Sequence, residues 1–106
     1  MKPEEFGLNV SIETITPELA DMYLLNNAYH RKVKQKKVDE FISELVEGQW
    51  KLNGKTICFD TDGRLLNGQH RMYAVSQSGV SLTTLVVRGL DPALIETKEE
   101  NNAVIH

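Results

Sequence analysis

Four consecutive residues carry the strongest chemical signal in the chain: Gly68, Gln69, His70 and Arg71. They stand between the short apolar stretch Arg64-Leu65-Leu66 and a run in which Met72, Val75 and Ser76 recur at helical spacing. The order is strand, glycine, polar triplet, helix. A helix start leaves backbone N–H groups without intrahelical acceptors and carries a partial positive charge. Glycine lets an anion approach the backbone closely. Arg71 adds a permanent charge and a fork of donors that matches phosphate, and Gln69 and His70 add hydrogen-bonding groups at the same mouth. Together these residues predict an anion cradle suited to a phosphate group. A purely architectural reading competes with it: Gly68 makes a tight turn and Arg71 pairs with a carboxylate such as Asp60 or Asp62. Spacing alone leaves both open.

A second feature lies upstream, where Tyr29-His30-Arg31-Lys32 is followed by Lys34, Lys36 and Lys37. Arg31 is a candidate phosphate ligand. Lys32 and Lys34 are candidates for contact with nucleic acid, where each neutralised phosphate makes binding fall with salt. Lys36 and Lys37 read more simply as the solvated start of a helix. The formal net charge of −3 argues against a protein that coats nucleic acid through overall basicity, so any basic patch is local.

Other candidates are thinner. Asp60-Thr61-Asp62-Gly63 could offer oxygens to a metal, but without further spaced ligands this pattern is turn chemistry. His30, His70 and His106 show no i, i+4 pairing, so no zinc or other metal site is expected. Trp50 reads as a core or rim aromatic, with base stacking as the alternative. No Ser/His/Asp or Cys/His spacing supports nucleophilic catalysis. Cys58, the single cysteine, reads as a small core residue and excludes an internal disulfide.

The elements that must position these residues follow from periodicity. Leu8 to Glu13 alternates apolar and polar, the period of a half-buried strand. Thr16-Pro17 opens a helix with an apolar stripe of Leu19, Met22 and Tyr23, closed by Asn26-Asn27. Val38, Phe41, Ile42, Leu45 and Val46 mark a second helix capped by Gly48. Thr56 to Phe59 is a short buried strand, and the D-G pair at Asp62-Gly63 turns it back through Arg64-Leu65-Leu66 as a hairpin. Gly79 closes the helix that begins after Gly68. Leu82 to Val87 is a buried strand, and Asp91-Pro92 starts a brief helix near Ala93-Leu94-Ile95. Residues 97–106 read as a flexible tail.

The run from Gly54 to Val75, which includes T-I-C-F-D-T-D-G-R-L-L-N-G-Q-H-R, resembles the heart of the ParB/sulfiredoxin superfamily. There a strand ends in a G-x-x-R box, typically G-E-R-R in ParB proteins and G-C-H-R in sulfiredoxins. The helix after the box cradles the phosphates of CTP or ATP. The patterns G-Q-W-K-L-N-G and L-N-G-Q-H-R are similar to ParB-like proteins of phages and mobile elements, and the likeness spans roughly residues 8 to 92. It implies an α/β (α+β) fold, a small mixed sheet flanked by helices, in a single domain over 1–106 with its core at about 8–96. It implies a nucleotide ligand held by Gly68, Gln69, His70 and Arg71. Arg31 matches the arginine of the N-P-R segment that approaches the nucleotide in ParB-like proteins, although the proline is missing. DNA as partner, a homodimer, and magnesium with the nucleotide belong to the same set of implications.

Two departures narrow this. Gln69 stands where sulfiredoxins carry their catalytic cysteine, so reduction of an oxidised thiol is not expected. ParB proteins often have glutamate there; Gln69 offers no negative charge to a metal, which weighs against metal-assisted hydrolysis but not against binding. Three functions stay open at this point: a nucleotide-dependent regulator or DNA-associated protein, a nucleotide-dependent enzyme (phosphohydrolase, phosphotransferase or nuclease), and a DNA- or protein-binding module with no nucleotide. ParB proteins proper add helix-turn-helix and dimerisation regions that these 106 residues do not include, so centromere binding is not expected of them. An apolar content of 41% suits an ordinary globular domain. No run approaches the roughly 20 apolar residues of a membrane span, and the start lacks a signal-like stretch. A cytoplasmic protein is expected.

Overall fold

The computed structural model describes residues 7–27, 32–48, 56–91 and 93. Elements follow in the order β1 (Asn9–Ile15), α1 (Pro17–Leu25), α2 (Gln35–Val46), β2 (Thr56–Asp60), β3 (Leu65–Asn67), α3 (Gln69–Ser78) and β4 (Leu82–Leu90). One sheet has the spatial order β1-β4-β2-β3. β1 and β4 are antiparallel, β4 and β2 parallel, β2 and β3 antiparallel. This is the mixed-sheet α+β architecture expected from the sequence. No helix among the described residues is long and apolar enough to cross a membrane.

The helices form one layer on one sheet face, α1 and α2 each packed against α3. Ile15, Ile57, Phe59, Leu82 and Val86 point from the sheet into this layer and are essentially fully buried. They meet Ala20, Val38, Met72 and Val75 from the three helices. α1 is capped as expected: the Thr16 hydroxyl accepts from the Leu19 amide at 3.2 Å, with Pro17 in the first turn. Its inward face is centred on Ala20, flanked by Leu19, Tyr23 and Leu24, while Met22 is 60% exposed. The expected stripe of Leu19, Met22 and Tyr23 is thus turned around the helix. A small alanine weighs little in an apolar pattern, yet it is what lets two helices approach. α2 buries Val38 and Leu45 as expected, but Val46 in its last turn is exposed. Gly48, at φ +71, donates its amide to the Leu45 carbonyl at 3.2 Å and stops the helix.

β1 departs from expectation in a second way. It runs on through Thr14 and Ile15, and its apolar set lies on the outer face: Val10 is 45% and Ile12 59% exposed. The polar set turns inward instead. Glu13 is drawn to the helix side by Arg88 of β4, whose Nε and Nη2 donate to the two carboxylate oxygens at 3.0 and 2.8 Å. Arg88 also donates to the Tyr23 hydroxyl at 3.2 Å and lies 4.4 Å from the centroid of the Phe59 ring. Strand alternation gives that placement, since Leu82, Thr84 and Val86 of β4 also face inward, and a bulge follows immediately. Cys58 faces Val87 and Asp60 faces Leu90, so the single residue Phe59 opposes both Arg88 and Gly89. Gly89 takes the left-handed conformation, φ +86, that the extra residue requires. β4 consequently extends to Leu90, beyond the expected Val87.

Candidate functional site

Gly68 is the joint between β3 and α3. Its φ of +117 lies in the range that side chains disfavour, and a Cβ there would stand 2.5 Å from Cδ1 of Ile57. Glycine is therefore required by the turn from strand to helix itself, whether or not a ligand approaches. No side chain among the described residues caps α3, and the positive end of its dipole opens at this turn.

The three residues after Gly68 reach into three different segments. The Gln69 carbonyl oxygen Oε1 accepts from Asn27 Nδ2 at 2.8 Å. His70 Nε2 accepts from the backbone amide of Lys34 at 3.1 Å, which requires that this ring nitrogen carry no proton. Arg71 Nη2 donates to the Thr56 carbonyl at 2.8 Å. The last bond has a clear geometric origin. β3 pairs with β2 only as far as Asn67 opposite Cys58. Beyond that point the chain has left for α3, and the guanidinium takes the place of the missing strand partner.

Arg71 is 92% buried, with 8% of its surface exposed, and its Nη1 has no hydrogen-bond partner among the described residues. Burial pushes the pKa of this guanidinium down, opposed by the charge that the Cys58 sulfur can carry; arginine nonetheless stays protonated in proteins. The architectural alternative, a pair with Asp60 or Asp62, is not what the structure holds. Those carboxylates belong to Arg64: its Nε donates to Asp60 Oδ2 at 2.9 Å, and its Nη2 lies 3.8 Å from Asp62 Oδ2. Asp60 Oδ1 accepts from the Asp62 and Arg64 amides, both at 2.8 Å. Burial raises the Asp60 pKa, but these amides and the Arg64 guanidinium together outweigh it and hold the carboxyl below its usual range. Both of its oxygens are committed to the hairpin turn, so it is a structural residue rather than a metal ligand.

Of the other sequence candidates, Lys34 is brought to the site: it is the N-terminal cap residue of α2, and its amide on His70 joins the start of α2 to the start of α3. Two helix N-termini therefore meet at the Gly68–Arg71 turn. Lys32 lies exposed just before Lys34. Arg31, Tyr29, His30, Trp50 and the residues of the Gly54-Lys55 start lie outside the described residues, as do the 97–106 tail and most of the brief helix expected near Ala93. Ala93 itself donates its amide to Asp91 Oδ1 at 3.0 Å. Cys58 corrects the sequence reading: it sits half-buried on the sheet face away from the helices, 3.3 Å from the Thr56 hydroxyl. Strand alternation decides this, since Ile57 and Phe59 on either side take the inward positions. The sequence marks Asn27 only as part of the end of α1, whereas its bridge to Leu65 and its bond to Gln69 place it at the turn; an asparagine at a helix end carries no signal beyond the turn it makes. No protein-family model, curated protein or solved structure matches this chain.

Proposed function

We propose that the chain binds a nucleotide through its phosphates at the start of α3, with Arg71 as the principal cation and Lys34, and Arg31 before it, as contributors from the basic segment. The reading rests on one observation: a guanidinium withdrawn from water, with Nη1 lacking an acceptor among the described residues. A buried charge without a counterion is disfavoured by several kcal/mol, and an anion seated at a helix start beside it supplies the missing acceptor. The strand–glycine–helix order, the mixed sheet and the G-Q-H-R box are in keeping with a ParB/sulfiredoxin-like domain. Binding, rather than turnover, is the form proposed: Asp60, the buried carboxylate of the neighbouring hairpin, already holds two amides and a guanidinium and is not free to act as a base. The protein is then a nucleotide-responsive regulator, with DNA as a second ligand of Lys32 and Lys34.

Calorimetry against a panel of nucleoside mono-, di- and triphosphates, with and without magnesium, tests this on wild type, Arg71→Met and Arg71→Ala. Saturable heat with at least one triphosphate is expected, weakened about tenfold or more when the guanidinium is removed, the equivalent of about 1.4 kcal/mol. Equal heats from all three proteins for every ligand would refute the proposal. Release of phosphate from the bound nucleotide, lost in Arg71→Ala, would turn the reading to the enzyme instead.

A further inference from the structure

The two edges of the sheet are treated differently. β3, at one edge, has only three residues, and its outer side is met by the chain leaving α1: the Leu65 amide donates to the Asn26 carbonyl at 2.9 Å, and Asn27 bridges Leu65 in parallel. β1, at the other edge, has seven residues paired with β4 in unbroken register from Asn9 to Ile15. Its outer side carries no bridge among the described residues. Edge strands are usually protected from pairing by proline, lysine, a bulge or an inward charge. β1, Asn-Val-Ser-Ile-Glu-Thr-Ile, has no proline, no lysine and no bulge. Its one charge, Glu13, faces the helix side and is neutralised by Arg88 in a two-point pair. The apolar side chains of this strand, Val10 and Ile12, are the ones left exposed.

We propose that β1 pairs antiparallel with β1 of a second copy of this chain about a two-fold axis at Ile12, joining two four-stranded sheets into one of eight. The sequence of the strand fits itself in this register. Ile12 meets Ile12 of the partner, Val10 meets Thr14, and Ser11 meets Glu13. No like charges face each other, and apolar or β-branched pairs lie on the open face, where such cross-strand pairs stabilise a sheet. The same pairing gives partners to the outward amides and carbonyls of β1 that have none among the described residues. Because antiparallel strands of one sheet share faces, both helix layers lie on the same side of the dimer. One strand pair makes an interface smaller than those of permanent dimers, so the dimer is expected to dissociate on dilution.

Sedimentation equilibrium over a concentration series, on the full chain without nucleotide, reads the assembly directly. The mass is expected to rise from 12.0 kDa towards twice that value for wild type. Ile12→Lys, which sets two cations opposite each other at a solvent-exposed position, is expected to stay monomeric with an unchanged circular dichroism spectrum. Mild oxidation supplies a second reading that does not need that variant to fold. In a Cys58→Ser background, Ile12→Cys is expected to give a covalent dimer, while Val10→Cys, which faces Thr14 rather than itself, stays monomeric. A wild type that remains monomeric up to about 1 mM would overturn the proposal. So would Ile12→Lys dimerising like wild type, or Val10→Cys cross-linking as readily as Ile12→Cys. None of these outcomes depends on nucleotide binding.

Discussion

A guanidinium buried with the Thr56 carbonyl as its one acceptor among the described residues sets two opposing effects on stability. Removing it leaves that carbonyl unpaired, at a cost of about 1 kcal/mol. It also removes a buried charge, whose desolvation penalty is several kcal/mol. Methionine has similar length and no charge, so Arg71→Met is expected to melt at or above wild type in nucleotide-free buffer while losing phosphate affinity. A melting temperature several degrees below wild type would show that the bond to the Thr56 carbonyl outweighs the cost of the buried charge. Asp60 behaves in the opposite sense. Its folded pKa lies below its unfolded value of about 4. Its contribution is therefore fully present above that pH and is lost as pH falls through the folded pKa. Glu13, held low chiefly by the hydrogen bonds from Arg88 against the effect of burial, acts in the same direction. Asp60→Asn is expected to cost about 1–3 kcal/mol at pH 7 and to flatten the fall in stability between about pH 5 and pH 2. Urea unfolding across that range is the measurement.

Among the elements, the bulge in β4 has the sharpest mutational signature. Gly89 combines φ +86 with a backbone neighbour, the Gly7 carbonyl oxygen, in the place a Cβ would take. A backbone atom cannot swing aside as a side chain can. Gly89→Ala is expected to cost at least about 2 kcal/mol, from left-handed strain and overpacking together. Gly63→Ala, whose Cβ would point into open space at φ +81, bears the strain alone and should cost about 1–2 kcal/mol. A smaller loss at residue 89 than at residue 63 would contradict this account. The first turn of α2 contains Lys36 and Lys37 and no acidic residue, the wrong sign for a helix N-terminus. Lys37→Glu is expected to stabilise the chain by about 0.5 kcal/mol in chemical denaturation. The same change should weaken phosphate or DNA binding if the basic segment contributes to it.

For the molecule as a whole, the buried cluster draws residues from every strand and helix. Unfolding is accordingly expected as one transition, with far-ultraviolet dichroism and tyrosine absorbance superimposing. Much of the architecture was legible in sequence, because helix caps, the D-G turn and the strand–glycine–helix order are local signals: Thr16-Pro17, Gly48, Asp62-Gly63 and Gly68 all act where they were expected to. The failures share a cause. Which face of β1 points inward depends on Arg88, 75 residues away in sequence from Glu13, and no local alternation carries that information. Met22 and Ala20 exchanged roles because closeness of helices, not side-chain size, set the inward face. At the candidate site, the four-residue box could be read from sequence. That Arg64 rather than Arg71 holds Asp60, leaving Arg71 buried beside Thr56, could not, because both arginines stand within a few residues of the same turn.

The closeness of Ile57 Cδ1 to the place a Cβ would take at Gly68 has a historical consequence. The order in which the two positions change matters. A lineage that first trimmed Ile57 to valine would lose little and would open room beside the joint, so a later alanine at 68 would meet only the conformational barrier set by φ +117. The reverse path begins with both obstacles at once. Descendants of this chain are therefore expected to reach a side chain at 68, if they do so at all, only through ancestors already small at 57, and reconstructing the two double-mutant routes by folding yield would reveal that asymmetry.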